Sequence, residues 1–212
     1  RPPRRKPAPA AESAPPVIPD EPWDPAEFAV DPVEGQTRFH DFNLPIPVMH
    51  AIYDAGFRYC TPIQAETLSQ TMAGANVAGK AQTGTGKTAA YLIAMLHRML
   101  NAPDKRPVKP GHPAALVIAP TRELVIQIIK DADLLGKHAG LRAVAVYGGM
   151  DHAKQQDRLE SGPVDLIAAT PGRLLDFIRS RVINLREVQT LVIDEADRML
   201  DMGFIPDVTR II

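Results

Sequence analysis

The chain has 212 residues, 45% of them hydrophobic and 23% charged, with a formal net charge of −1, which suits one well-buried domain and a tail. That balance excludes a global positive field, so any contact with an anionic polymer must come from locally placed arginines, hydroxyls and backbone amides. Cys60 is the only cysteine, which excludes an internal disulfide and a cysteine-based zinc cluster. The six histidines show no ligand-like spacing, so no structural metal is expected. No apolar run approaches the roughly 20 residues needed to cross a bilayer, and no secretory signal opens the chain. A start at Arg1 rather than methionine suggests a fragment. A cytoplasmic monomer, away from membranes, is the default expectation.

Residues 1–36 hold ten of the 21 prolines and almost no apolar periodicity. The composition predicts a disordered, polyproline-biased extension. Arg1, Arg4, Arg5 and Lys6 could touch phosphates or could be a solvated tail; Trp23 and Phe28 could form a short docking element. From Phe39 onward, short apolar runs alternate with helical periodicity. The runs are 76–81 (NVAGKA), 114–119 (AALVIA), 142–147 (RAVAVY), 165–169 (DLIAA) and 190–194 (TLVID), each followed by a polar turn. Runs of this kind suit strands buried on both faces of a parallel sheet. Helical stretches at 87–100 and 122–138 lie between them. The alternation predicts an α/β fold, a parallel sheet sandwiched by helices. Ligands in such folds sit at the carboxyl ends of the strands.

The first run leads into Ala81-Gln82-Thr83-Gly84-Thr85-Gly86-Lys87-Thr88, a P-loop pattern with Ala81 in place of the first glycine. Its glycines let backbone N–H groups turn toward phosphate oxygens, and the following helix adds positive potential. Lys87 supplies a charge for the β and γ phosphates, and the Thr88 hydroxyl can ligate Mg2+. The last run ends in Asp194, placed for the metal, and Glu195, placed to orient or deprotonate an attacking water. Asp197 more plausibly pairs with other parts of the site.

Asp194-Glu195-Ala196-Asp197 spells D-E-A-D, and Ala81–Thr88 has the form A-x-T-G-x-G-K-T. Together they resemble the DEAD-box ATP-dependent RNA helicases over about residues 37–212. The resemblance implies the amino-terminal, RecA-like ATP-binding domain of such an enzyme, an RNA-dependent ATPase using ATP and Mg2+. Gly56 to Gln64 is similar to the family's Q motif, which implies that Gln64 reads the adenine edge; an amide offers the donor and acceptor this needs. Phe39, seventeen residues before Gly56, stands where the family stacks an aromatic on the base, with Phe42 as the alternative. Three segments resemble the RNA-facing motifs: Pro120-Thr121-Arg122, Gly148-Gly149 and Thr170-Pro171-Gly172-Arg173. Thr121 and Thr170 also read as helix caps, compatible with presenting amides to backbone phosphates. Val125 and Asn76 depart from the family pattern, away from the chemistry.

The runs RFHDFNLPIPVMHAIYDAGFRYCTPIQ and DEADRMLDMGFIPDV are most similar to bacterial members that work with ribonuclease E in the RNA degradosome, which implies a role in RNA degradation. No S-A-T string and no second RecA-like domain with its arginine finger follow Asp197. Residues 1–212 alone are therefore expected to bind nucleotide, to hydrolyse it slowly and not to unwind RNA. A competing reading is a nucleotide-gated RNA-binding or scaffold module with incidental hydrolysis. A DNA helicase is disfavoured by Gln64 and the D-E-A-D string.

Overall fold

The structure is a computed structural model that describes residues 23–82, 84–102 and 106–212. Four of the five apolar runs form strands: β1 (Ala115–Ile118), β2 (Ala143–Val146), β3 (Leu166–Ala169) and β4 (Thr190–Ile193). They make one parallel sheet in the order β2-β3-β1-β4. The central strands β1 and β3 are buried at every position, as near-continuous apolar runs require. The edge strand β4 alternates, with Leu191 and Ile193 each 39% exposed.

Eight helices flank the sheet among the described residues: α1 (Ile46–Asp54), α2 (Pro62–Met72), α3 (Lys87–Asn101), α4 (Arg122–Leu135), α5 (His152–Glu160), α6 (Pro171–Arg179), α7 (Ala196–Asp201) and α8 (Ile205–Ile211). Alternate side chains of a strand point to opposite faces, and here they feed two separate cores. Ala115 and Val117 pack with Ile93 of α3 and Ile128 of α4. Leu116 and Ile118 pack with Leu174 and Phe177 of α6 and Val208 of α8. The result is the expected sandwich of helix, sheet and helix. Helix α4 stops earlier than its periodicity suggests, at Gly136, where a Cβ would lie 2.5 Å from that of Leu141 and 2.8 Å from the Ala132 carbonyl.

Two expectations need correction. Residues 76–81 form no strand. They run beside the outer edge of β4, and a cavity of about 770 Å³ lined by residues 75–81 and 189–197 separates the two. A strand exists only through its ladder, and this segment finds no ladder partner among the described residues. The extension is also ordered earlier than residue 37. Phe28 and Val30 are each 6% exposed within the core, and burying side chains of that size stabilises by roughly 1.5–3 kcal/mol apiece. The Tyr59 hydroxyl donates to the Asp31 carbonyl at 2.9 Å, and Arg38 donates to the Val30 carbonyl at 3.1 Å. Arg1, Arg4, Arg5 and Lys6 lie outside the described residues.

Trp23 stacks on His50 at 4.7 Å, and His50 stacks on His138 at 3.6 Å with ring planes 4° apart. His50, Asp54 and His138 thus share one surface, although 84 positions separate the last two. Imidazole lone pairs lie in the ring plane, so parallel rings do not aim theirs at one point; this is packing geometry rather than coordination. Hydrogen bonds from Lys137 and His138 hold the Asp54 carboxyl below its usual range. A depressed folded-state pKa gives stability that is present above the unfolded value, near 4, and is lost as pH falls through the folded value. Asp54→Asn should therefore lower the urea midpoint at pH 6, and the gap to wild type should close toward pH 3. An unchanged gap across that range would show that charge plays no part.

Candidate functional site

The loop entering α3 is shaped by two left-handed glycines, Gly84 at φ +83° and Gly86 at φ +90°. Gly86 is the N-cap of α3 and brings no side-chain cap, so the first amides of that helix remain open donors. A Cβ on Gly86 would stand 2.5 Å from Gln64 Nε2 and 3.0 Å from Thr61 Oγ1. Gln64 is 4% exposed and ties the start of α2 to this loop: its Nε2 donates to the Gly86 carbonyl at 3.1 Å, and its Oε1 accepts from the Thr61 amide at 2.8 Å. One N–H and one lone pair of the amide are left for a ligand. The Lys87 ammonium donates to the Ala81 carbonyl, and the Thr85 hydroxyl donates to the Gln82 carbonyl at 2.7 Å. Thr83 lies outside the described residues.

Strand β4 delivers the carboxylates. The Asp194 amide continues the ladder to the Ile118 carbonyl at 2.9 Å, and the side chain is buried. Its Oδ1 accepts from the Glu195 amide at 2.9 Å, and its Oδ2 accepts from the Tyr91 hydroxyl at 3.1 Å. Burial pushes the Asp194 carboxyl up, and those two donors pull it back only in part. Burial, with the Asp194 charge beside it, likewise pushes the Tyr91 phenol up, so it stays a neutral donor. Glu195 sits at φ 50°, ψ 50° as the N-cap of α7, a conformation that costs a non-glycine residue on the order of 1–3 kcal/mol. Its carboxylate is held by Arg198 at 3.1 Å. The Asp197 carboxylate, in the first turn of α7, accepts from the Arg198 amide at 2.9 Å.

Lys87 and Thr88 therefore meet Asp194 and Glu195 across more than a hundred positions. Gly84, Gly86 and these four residues line a cavity of about 360 Å³ whose other walls include Phe57 and Leu134. The Thr88 hydroxyl and the Asp194 carboxylate are hard oxygen ligands that suit Mg2+ rather than a soft metal, and the open amides of α3 are donors that suit phosphate oxygens. Phe39 does not join them. It is wholly buried, its ring 6.5 Å from that of Phe57, so the expected base-stacking face is closed in this conformation. The turn Phe39–Asp41 drives that ring inward as a core anchor, and Phe57 borders the cavity instead. Phe42 is partly buried against the same core.

The three remaining segments come together at the carboxyl ends of β1, β2 and β3. Thr121 caps α4, its hydroxyl accepting from the Leu124 amide at 3.3 Å. Pro120 is buried, Arg122 is exposed, and the Arg122 guanidinium lies 5.5 Å from the centre of the Tyr147 ring. Gly149, at φ +79°, sits beside Arg122, and Gly148 is exposed with it. Thr170 precedes α6 without a side-chain cap bond, and Pro171 occupies the first turn with Gly172 exposed beside it. Arg173 donates to the Met150 carbonyl at 3.4 Å. The sequence reading missed Gln155. Wholly buried on α5, it grips both the amide and the carbonyl of Tyr147, at 2.9 and 3.1 Å, and so fixes the start of the Gly148-Gly149 turn. Its one signal was a polar residue four positions before Leu159 on the inward face of α5.

A parallel three-layer sheet with a G-T-G-K-T loop and a carboxylate pair at a strand end defines a RecA-like P-loop domain. Residues 61–212 match the DEAD/DEAH box helicase family, and the chain belongs to it. It is 56% identical over 183 residues to the ATP-dependent RNA helicase RhlB of Pseudomonas aeruginosa (strain UCBPP-PA14) and 55% identical to that of Pseudomonas putida. Both alignments cover 86% of this chain and 46% of the relative, so the chain spans about half the length of the curated relatives it matches. Among solved structures, the crystal structure of a hypothetical ATP-dependent RNA helicase from Sulfolobus tokodaii is similar with a TM-score of 0.67 at 37% identity. It covers 76% of this chain and 44% of that one.

The crowding at Gly86 can be separated from its backbone strain. Gly84 also has positive φ, but a Cβ there meets nothing within 4 Å. Gly84→Ala should destabilise by about 1 kcal/mol, the cost of the left-handed backbone alone. Gly86→Ala should cost roughly 1–3 kcal/mol more, and Gln64→Ala in the same chain should recover much of that excess. Urea unfolding of the four proteins measures this; equal losses at the two glycines would refute the Gln64 clash.

Proposed function

We propose that this chain is the nucleotide-binding, RNA-facing half of an ATP-dependent RNA helicase. The observation that carries the reading is spatial. The Lys87–Asp194–Glu195 cavity and the face formed by Arg122, Gly149 and Arg173 occupy the same end of one parallel sheet. Nucleotide phosphates would take the open amides of α3, with Lys87 turning from the Ala81 carbonyl to neutralise them. Thr88 and Asp194 would hold Mg2+, which when bound offsets charge developing on the transferred phosphoryl group. Glu195, held by Arg198, would orient the attacking water. Gln64 would meet the adenine edge with its remaining N–H and lone pair, favouring ADP over GDP, whose edge reverses donor and acceptor. The RNA contacts would be to backbone phosphate and sugar, through the amino ends of α4 and α6 and their arginines, and so largely independent of sequence.

Among the described residues no arginine lines the Lys87–Glu195 cavity. Stabilisation of the transition state by such a group contributes roughly 10³ to 10⁵ in rate, so residues 1–212 alone should bind nucleotide and turn it over slowly. Work in RNA degradation beside ribonuclease E, in the cytoplasm, is part of the same proposal and rests on resemblance. No helix among the described residues is long and apolar enough to cross a membrane.

The test is ATP hydrolysis and strand displacement by the full-length protein, with RNA, with DNA and with neither. RNA-stimulated turnover and duplex separation, both lost in Glu195→Gln while ADP binding persists, are the expected result. RNA binding that responds to nucleotide without duplex separation would point to the scaffold reading instead. Equal stimulation by DNA would refute the RNA assignment.

A further inference from the structure

Helix α3 begins with Lys87 and Thr88, and Tyr91 follows Thr88 by three positions. Residues three apart share a helix face, so the Tyr91 ring lies over the side of α3 that faces the end of β4. There its hydroxyl donates to Asp194 Oδ2 at 3.1 Å. Asp194 Oδ1 is already taken by the Glu195 amide, so the phenol decides the rotation and depth of the remaining oxygen. Neither the P-loop pattern nor the D-E-A-D string includes residue 91.

We propose that Tyr91 is a positioning residue that holds Asp194, one of the two Mg2+-holding side chains, and sets the geometry in which that carboxylate receives the cation. The proposal rests on the nucleotide–Mg2+ reading given above. Three features support it. The hydroxyl is a neutral donor, so it satisfies a buried carboxylate without placing a positive charge where a cation must enter. An arginine or lysine in its place would compete with that cation. The contact joins α3, the helix that carries Thr88, directly to the residue that follows β4. The ring is anchored at the apolar core of α3, which leaves the hydroxyl little freedom. Partners of metal ligands typically contribute ten- to a hundredfold to metal affinity or activity.

Tyr91→Phe keeps the ring and removes the hydroxyl. The experiment uses full-length protein and a fluorescent ADP analogue, titrated with Mg2+ and also measured in EDTA. The variant should raise the Mg2+ concentration for half-maximal nucleotide binding by about tenfold, while its affinity in EDTA stays within about twofold of wild type. Incorporating 3-fluorotyrosine at 91, which restores a hydroxyl, should bring the Mg2+ requirement back. An unchanged Mg2+ requirement overturns the proposal. So does an equal loss with and without Mg2+, which would mean that Tyr91 only supports the fold. Absence of nucleotide binding by wild type would instead overturn the underlying nucleotide reading, and this proposal with it.

Discussion

The parallel ladder that pairs β3 with β1 and β1 with β4 sets where the residues after each strand stand relative to one another. Ala169 is level with Ile118, and Ile118 with Ile193. The residues that follow each strand therefore emerge on one rim: Thr170, Ala119 with Pro120, and Asp194. A parallel ladder makes this unavoidable, since all its strands end at the same side. A one-residue slip of β4 would turn Leu191 and Ile193 to the other face and move Asp194 about 3.3 Å along the strand direction, away from Tyr91. The side chains of the rim are precise because the backbone beneath them is.

On that rim the protein accepts unfavourable local terms. Asp194 carries a carboxylate into a site whose burial disfavours its charge. Glu195 stands in a left-handed conformation although it is not a glycine. The surrounding contacts hold each in place: the Ile118 ladder bond at Asp194 and the Arg198 ion pair at Glu195. Stability is released elsewhere, in the two apolar layers on either side of β1 and β3. Concentrated local cost beside a well-packed scaffold is the usual arrangement for sites that must meet charged ligands.

Much of this was legible beforehand where chemistry is local. The P-loop, the D-E-A-D carboxylates and the three rim segments are contiguous strings of glycines, hydroxyls, carboxylates and arginines, recognisable within a few residues. Four strands were readable as short apolar runs, although only β1 and β3 are buried at every position. The fifth run, 76–81, is not a strand and is exposed from Asn76 to Lys80, because composition does not report the presence of a partner edge. Phe39 and Phe57 are both aromatic and near Gln64 in sequence, and nothing in their identity says which ring the core takes and which borders the cavity. Gln155 and Tyr91 were missed for a related reason: a single polar group on an apolar helix face acquires meaning only from the atom opposite it.

Sequence by itself determined the inventory of this protein: an anion-binding loop opening a helix, a carboxylate pair at a strand end, arginines and capping residues at helix starts, and alternating elements that form a three-layer sheet. These follow from short-range periodicity and backbone preference, which act within a few residues. Tertiary structure alone decided the pairings. It set the strand order β2-β3-β1-β4, joined Gln64 to Gly86, brought Tyr91 to Asp194 over 103 positions and stacked His50 on His138. Such contacts depend on which surfaces of distant elements bury each other most completely. That choice is made by packing the whole core at once, and no window of the sequence contains it.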